Sequence, residues 1–147
     1  MIYRDGDLPP DVDRSIVIAC MVGWVHGLDR ATGAIRWAYD LDSRGNVHVA
    51  FRHGVLACSG NVDELTRLDY ATGARMWRAP TTDRGPATIV VEQDYIVCAK
   101  GAWVECFDHH GRRLWSQNIN QGRGTAGITL ALPGNVAQAP DLVRSGS

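Results

Sequence analysis

The sequence predicts an all-β protein, a partial β-propeller of about three four-stranded antiparallel blades plus flanking strands of a fourth. Three observations carry that prediction. A phrase closing on tryptophan occurs three times, from Leu28 to Trp37, from Leu68 to Trp77 and from Phe107 to Trp115. Its aspartates, Asp29, Asp69 and Asp108, lie 40 and 39 residues apart, and its tryptophans 40 and 38. A period of roughly 40 to 45 residues is that of one four-stranded blade. Between the phrases, short apolar runs alternate with glycine-bearing turns and show no helical period, which reads as strands. The totals agree, since 147 residues with 45% hydrophobic and 21% charged side chains can bury a core yet contain no apolar run long enough to cross a bilayer as a helix.

Each repeat has one internal order. An apolar run comes first, Ile16 to Cys20, Val55 to Cys58 and Ile96 to Cys98, followed after a turn by a strand that ends on the aspartate. The aspartate suits a tight reversal because its carboxylate bonds the turn's own backbone, and Gly33, Gly73 and Gly111 supply the positive φ such hairpins need. A third strand runs through the tryptophan. After a longer polar link comes a β-branched segment, Val47 to Phe51, Thr88 to Val91 and Ile128 to Leu132, taken as the innermost strand of the next blade. The predicted organisation is an extension or degenerate strand over residues 1–14, and blades over 15–140 with repeats at about 15–53, 54–94 and 95–132 and a partial unit at 133–140. A tail follows over 141–147. The chain thus opens near the second strand of one blade and stops after the second strand of another.

The pattern V/L-x-x-L/F-D-x-x-T-G-x-x-x-W resembles the tryptophan-docking repeat of the pyrroloquinoline-quinone-like β-propellers, seen in quinoprotein dehydrogenases and in the outer-membrane assembly scaffold lipoprotein. Two copies are complete and the third drops one residue and the threonine. In Trp-Asp repeat propellers an aspartate follows the tryptophan, whereas Ala38, Arg78 and Ser116 stand there in this chain. The resemblance implies that Trp37, Trp77 and Trp115 pack between adjacent blades. With Asp29, Asp69, Asp108, Gly33, Gly73 and Gly111 they are then structural residues. Arg67 breaks the pattern, because Gly27 and Cys106 hold its place in the other copies; it implies a distorted second blade or an open edge close to a subunit boundary.

Candidate binding residues come from the links and turns. Arg44, Arg84 and Arg123, each followed by glycine, recur 40 and 39 residues apart just before the innermost strand, with Arg4 as a degenerate fourth. Guanidiniums placed around a channel mouth offer planar forks of donors to a carboxylate or phosphate. The plainer reading pairs each with a nearby acid such as Asp42 or Asp83. Trp24 and Trp103 occupy matching turn positions expected on the same face, where an exposed aromatic suits a protein partner.

No catalytic residue, metal site or cofactor is assigned. The sequence has no C-x-x-C, no G-x-S-x-G, no H-E-x-x-H and no vicinal cysteine pair of the kind quinoprotein dehydrogenases carry. Cys20, Cys58 and Cys98 read as small buried hydrophobes, Cys98 and Cys106 share a hairpin where they stand as candidates to face each other, and His109 and His110 read as exposed turn residues. A formal charge of -1 with interleaved signs gives no field to gather nucleic acid or anionic lipid. The expectation is a non-catalytic scaffold or binding module for a protein or an anionic small ligand. Its open ring would close as a homodimer of about seven or eight blades or within a larger propeller, in the cytoplasm or, where a leader has been removed, the periplasm. A fragment of a quinoprotein dehydrogenase and a detached sensor module are the alternatives.

Overall fold

A computed structural model describes residues 13–122 and 127–137. Strands β1 (Ile16–Met21), β2 (Trp24–Asp29) and β3 (Ile35–Asp40) form a three-stranded antiparallel sheet. Two four-stranded meanders follow: β4 (His48–Arg52), β5 (Val55–Ser59), β6 (Glu64–Leu68) and β7 (Arg75–Pro80), then β8 (Ala87–Val91), β9 (Tyr95–Lys100), β10 (Trp103–Asp108) and β11 (Arg113–Asn118). A last hairpin joins β12 (Leu130–Leu132) to β13 (Asn135–Ala137). The protein is all-β, a partial propeller with two whole blades. Before them stand the second to fourth strands of a first blade, and after them the first two of a fourth. None of the described residues is helical, so none of the described segments is a helix that could cross a membrane.

Register explains how the blades stack. Successive strand residues point to opposite faces of a sheet, so each blade presents one row to the blade before it and another to the blade after. The rows facing back are Val17–Leu28, Leu56–Leu68 and Ile96–Phe107. The rows facing forward are Ile18–Gly27–Trp37, Ala57–Arg67–Trp77 and Val97–Cys106–Trp115. In the second and third blades the backward rows are sealed: Leu56, Leu68, Ile96 and Phe107 are all essentially inaccessible. Each such side chain contributes about 1.5–3 kcal/mol of hydrophobic stabilisation.

Three apolar clusters therefore form between sheets rather than in one centre. The first two blades meet at Ile16, Val25, Trp37, Leu56, Cys58 and Leu68. The second and third meet at Val55, Ala57, Leu65, Ala79, Ile89, Val91, Ile96, Cys98 and Phe107. Beyond the third, Val90, Val97, Ala99 and Cys106 are covered by Ile128, Leu130, Leu132 and Ala137. The fourth-blade hairpin is held there by Thr88 Oγ1 donating to the Ile128 carbonyl and Asn135 Nδ2 donating to the Val91 carbonyl.

Candidate functional site

The repeated aspartates hold the hairpins from which the seams are built. Asp29 accepts the backbone N–H groups of Ala31 and Thr32, Asp69 accepts the N–H and hydroxyl of Thr72, and Asp108 accepts the N–H groups of His110 and Arg112. These bonds to the ionised form hold the Asp29 and Asp108 carboxyls below the usual carboxylate range. The residue after the aspartate then turns its carbonyl toward the preceding blade. Trp37 Nε1 donates to the Tyr70 carbonyl at 2.9 Å, and Trp77 Nε1 donates to the His109 carbonyl at 2.7 Å. Each indole face lies on the turn glycine of that next hairpin, where a Cβ on Gly73 would overlap the Trp37 ring and one on Gly111 would come within 2.7 Å of Trp77. Both glycines also hold positive φ, 74° and 90°, so conformation and space demand glycine together.

Trp115 occupies the matching place on β11 but has no such seat among the described residues, and it is 49% exposed against 8% for Trp37. Gly33, at the other end of the series, has nothing within 4 Å of an added Cβ.

Arg67 does not lie at an open edge; its strand carries a bulge between Arg67 and Leu68, which recurs at Gly27/Leu28 and Cys106/Phe107 in the other repeats. Arg67 stands in the internal seam between the second and third blades, where its Nη1 donates to the same His109 carbonyl at 2.8 Å that receives Trp77. His109 is half-buried rather than exposed, with Nε2 2.8 Å from the Glu92 carbonyl; His110 is exposed. Cys98 and Cys106 do not face each other. Cys98 sits opposite Glu105 and Cys106 opposite Val97, so the thiols point to opposite sides of the sheet, and all four cysteines are free. Burial pushes the Cys98 thiol up to about 12 and Cys20 to about 11, which leaves them poor nucleophiles.

Two buried charges in the same seam escaped the sequence analysis. Lys100, at the end of β9, donates through Nζ to the carbonyls of Gly60 and Val62 in the β5–β6 turn; burial lowers its pKa, opposed by Cys98, Asp63, Asp83 and Glu64. Glu105, 2% exposed, accepts from the N–H and hydroxyl of Thr82, from Ser116 Oγ and from Arg113 Nη1 at 2.8 Å. Burial raises its pKa, but the hydrogen bonds from Thr82, Ser116 and Arg113 together outweigh that and lower it. The available signal was a charged residue inside an apolar strand, at the place where the other repeats carry His26 and Thr66.

The links and turns assemble one rim. Ser43 Oγ accepts the Asn61 N–H, Leu41 N–H donates to the Gly23 carbonyl, Thr81 N–H donates to the Asp63 carbonyl and Ile119 N–H to the Ala102 carbonyl. Arg44 and Arg84 are both exposed on these links, and neither forms an ion pair with a described residue. Arg123 and Arg4 lie outside the described residues. Arg84 lines a pocket of about 270 Å³ between the first two blades, with Asp40, Asp42, Asp63, Glu64 and Arg78; Arg78 is paired with Glu64 at 3.3 Å. Arg44 is not part of that lining. Trp24 begins β2 on this rim, 43% exposed and stacked on His26 with ring centroids 6.1 Å apart, while Trp103 begins β10 and is half-buried. Among the described residues no three His, Cys, Asp or Glu side chains converge as a metal site.

Meanders stacked face to face, each locked by an indole on the next hairpin, define a β-propeller of the pyrroloquinoline-quinone-like repeat type. Residues 6–143 match the family described as outer membrane protein assembly factor BamB, and the chain belongs to that family. Among solved structures it is similar to BamB from Moraxella catarrhalis, with 21% identity and a TM-score of 0.66 over 85% of this chain and 40% of that one. It is also similar to the computationally designed Ika8 protein (14% identity, TM-score 0.67, 87% and 41%) and to quinohemoprotein alcohol dehydrogenase from Comamonas testosteroni (22%, 0.58, 71% and 19%). The chain thus spans less than half the length of each. No curated protein matches.

Proposed function

We propose that this chain is a non-catalytic propeller module that binds a protein partner through the rim carrying Trp24, Trp103, Arg44 and Arg84, and that its ring is completed by self-association. The observation that carries the reading is the pocket beside Trp24's blade. It places an exposed guanidinium, Arg84, within a surface otherwise dominated by Asp40, Asp42 and Asp63. Such a mixed rim next to a half-exposed indole suits a polypeptide offering both charges and an apolar anchor better than a small anion, which three carboxylates would repel. Membership of a family described as an assembly factor agrees with a scaffold role, and an outer-membrane assembly factor favours the periplasm over the cytoplasm as the compartment.

The test is a fluorescence titration with acidic, basic and mixed-charge peptides that each carry one aromatic residue, repeated with Trp24→Ala and Arg84→Ala. A mixed-charge peptide that binds the parent chain and loses at least tenfold in affinity with each variant supports the reading. Equal binding by all three chains overturns it. The dehydrogenase alternative rests on the likeness to the quinohemoprotein enzyme but lacks the vicinal cysteine pair in this sequence. Calcium-dependent binding of the quinone, read from its own absorbance, would favour that alternative instead.

A further inference from the structure

The repeat brings one strand position and one link position together in both internal seams, and only the second seam bonds them to each other. Between the second and third blades, Glu105 on β10 accepts from the N–H and hydroxyl of Thr82 in the link after β7, and Ser116 and Arg113 of its own blade donate to it. One repeat earlier those two positions hold Thr66 on β6 and Asp42 in the link after β3, 39 and 40 residues back. Thr66 stands opposite Arg78 as Glu105 stands opposite Ser116. Acid and hydroxyl have therefore exchanged sides, but here they do not meet. The Asp42 carboxylate and the Thr66 hydroxyl have no hydrogen bond or ion pair among the described residues.

Both residues line the pocket of about 270 Å³ between the first two blades. Thr66 is its buried end, only 4% exposed, and a buried hydroxyl without a partner calls for one from the pocket itself. The charge around it is one-sided. Glu64 engages Arg78 at 3.3 Å, which leaves the carboxylates of Asp40, Asp42 and Asp63 against the exposed guanidinium of Arg84. Tyr39, Leu41 and Val62 complete the wall with apolar surface, against which a methylene stem can lie. The volume falls short of the roughly 300–1,000 Å³ that encloses a whole drug-sized ligand, so it suits a single side chain. The β5–β6 turn also binds an ammonium already, since Lys100 Nζ reaches the carbonyls of Gly60 and Val62 from the third blade.

We propose that this pocket receives an alkylammonium group, the lysine side chain of the polypeptide that docks on the rim, and that the ammonium joins Asp42 to Thr66 by donating to both. This rests on the rim reading above and names the side chain that enters the pocket. An ammonium carries three donors and no acceptor, which answers a carboxylate and a hydroxyl that do not bond each other. A carboxylate guest would instead face three groups of its own charge. Arg84, exposed at the edge of the pocket, is left to meet an acid of the same partner.

An NMR titration with n-butylammonium, set against butyrate at equal ionic strength, tests the pocket without a partner. Saturable shifts of the Asp42, Asp63 and Thr66 amides are expected with butylammonium and none with butyrate. Thr66→Val removes the hydroxyl, and Asp42→Asn removes the charge at a φ of 55° that asparagine tolerates. Each should weaken butylammonium binding by about threefold or more, whereas Asp94→Asn, at an exposed acid before β9, should leave it unchanged. A mixed-charge peptide with one lysine should then lose about tenfold in affinity, some 1.4 kcal/mol, when norleucine replaces that lysine, and Thr66→Val should not weaken the norleucine peptide further. Absence of saturable shifts with butylammonium, or an equal response to butyrate, overturns the proposal, and peptide binding that still depends on Trp24 would leave the rim reading standing. Butylammonium binding together with equal affinity for the lysine and norleucine peptides overturns the polypeptide source and assigns the pocket to a free amine.

Discussion

The two internal seams begin from one repeat and are finished with different chemistry. Between the first and second blades, Trp37 lies over Gly27 and closes on Tyr70, whose hydroxyl accepts the Ile16 N–H at 3.1 Å and donates to the Ile16 carbonyl at 2.6 Å. Between the second and third, Arg67 replaces that glycine, and Lys100 and Glu105 are buried within the interface. The indole-to-carbonyl bond is common to both. What differs is the filling, apolar and neutral in one seam, charged and hydrogen-bonded in the other. The repeat therefore specifies where blades meet and leaves open how each meeting is stabilised.

The largest expected effect comes from what the seams share. Trp37→Ala should cost about 3–5 kcal/mol, the range for emptying a buried aromatic site, read from urea unfolding followed by circular dichroism. A cost below 1 kcal/mol would mean the indole is not the wedge between sheets. Next comes the chemistry peculiar to the second seam. Glu105→Ala strands the donors of Thr82, Ser116 and Arg113 and should cost about 2–3 kcal/mol at neutral pH, as for hydrogen bonds to a buried charge.

Acid should sharpen the difference between seams. The folded pKa of Glu105 lies below its ordinary value of 4.5. Its stabilisation is thus fully present above about 4.5, where the unfolded chain is also ionised, and is lost as pH falls through the folded value. The gap in unfolding free energy between the parent chain and Glu105→Gln should shrink across that window and stay constant above it. A gap that widens on acidification would reverse the assigned sign.

Smaller effects follow at the hairpins. Gly111→Ala places a Cβ 2.7 Å from the Trp77 ring in a backbone at φ 90°, with an expected cost of about 1–3 kcal/mol. The smallest belongs to Trp115→Ala, expected within about 0.5 kcal/mol of the parent at dilutions where the chain is single, as for an exposed position. A cost matching that of Trp37→Ala would show that Trp115 already has a seat within one chain.

The fold was legible in the sequence because its signals are local. Asp29, Asp69 and Asp108 bond their own turns, and a forty-residue period is visible whatever the blades touch. The seams were legible only where the repeat reaches them, through Trp37 and Trp77. Lys100 finds its acceptors on Gly60 and Val62, and Glu105 its donor on Thr82, across a gap between sheets that no spacing encodes. The pairing of Cys98 with Glu105 rather than Cys106 depended on strand register, and one residue of register reverses every side chain. The rim was partly legible: Trp24 and Arg84 were found from matching positions, but the acids that share Arg84's pocket come from two blades.

Indole N–H exchange, followed by NMR on chain carrying nitrogen-15 tryptophan, tests most directly whether each blade is locked by its tryptophan on the next hairpin. At dilutions where the chain is single, the Nε1 protons of Trp37 and Trp77 should exchange slowly and those of Trp115 and Trp24 fast. Exchange of Trp37 and Trp77 as fast as that of Trp24 would contradict it.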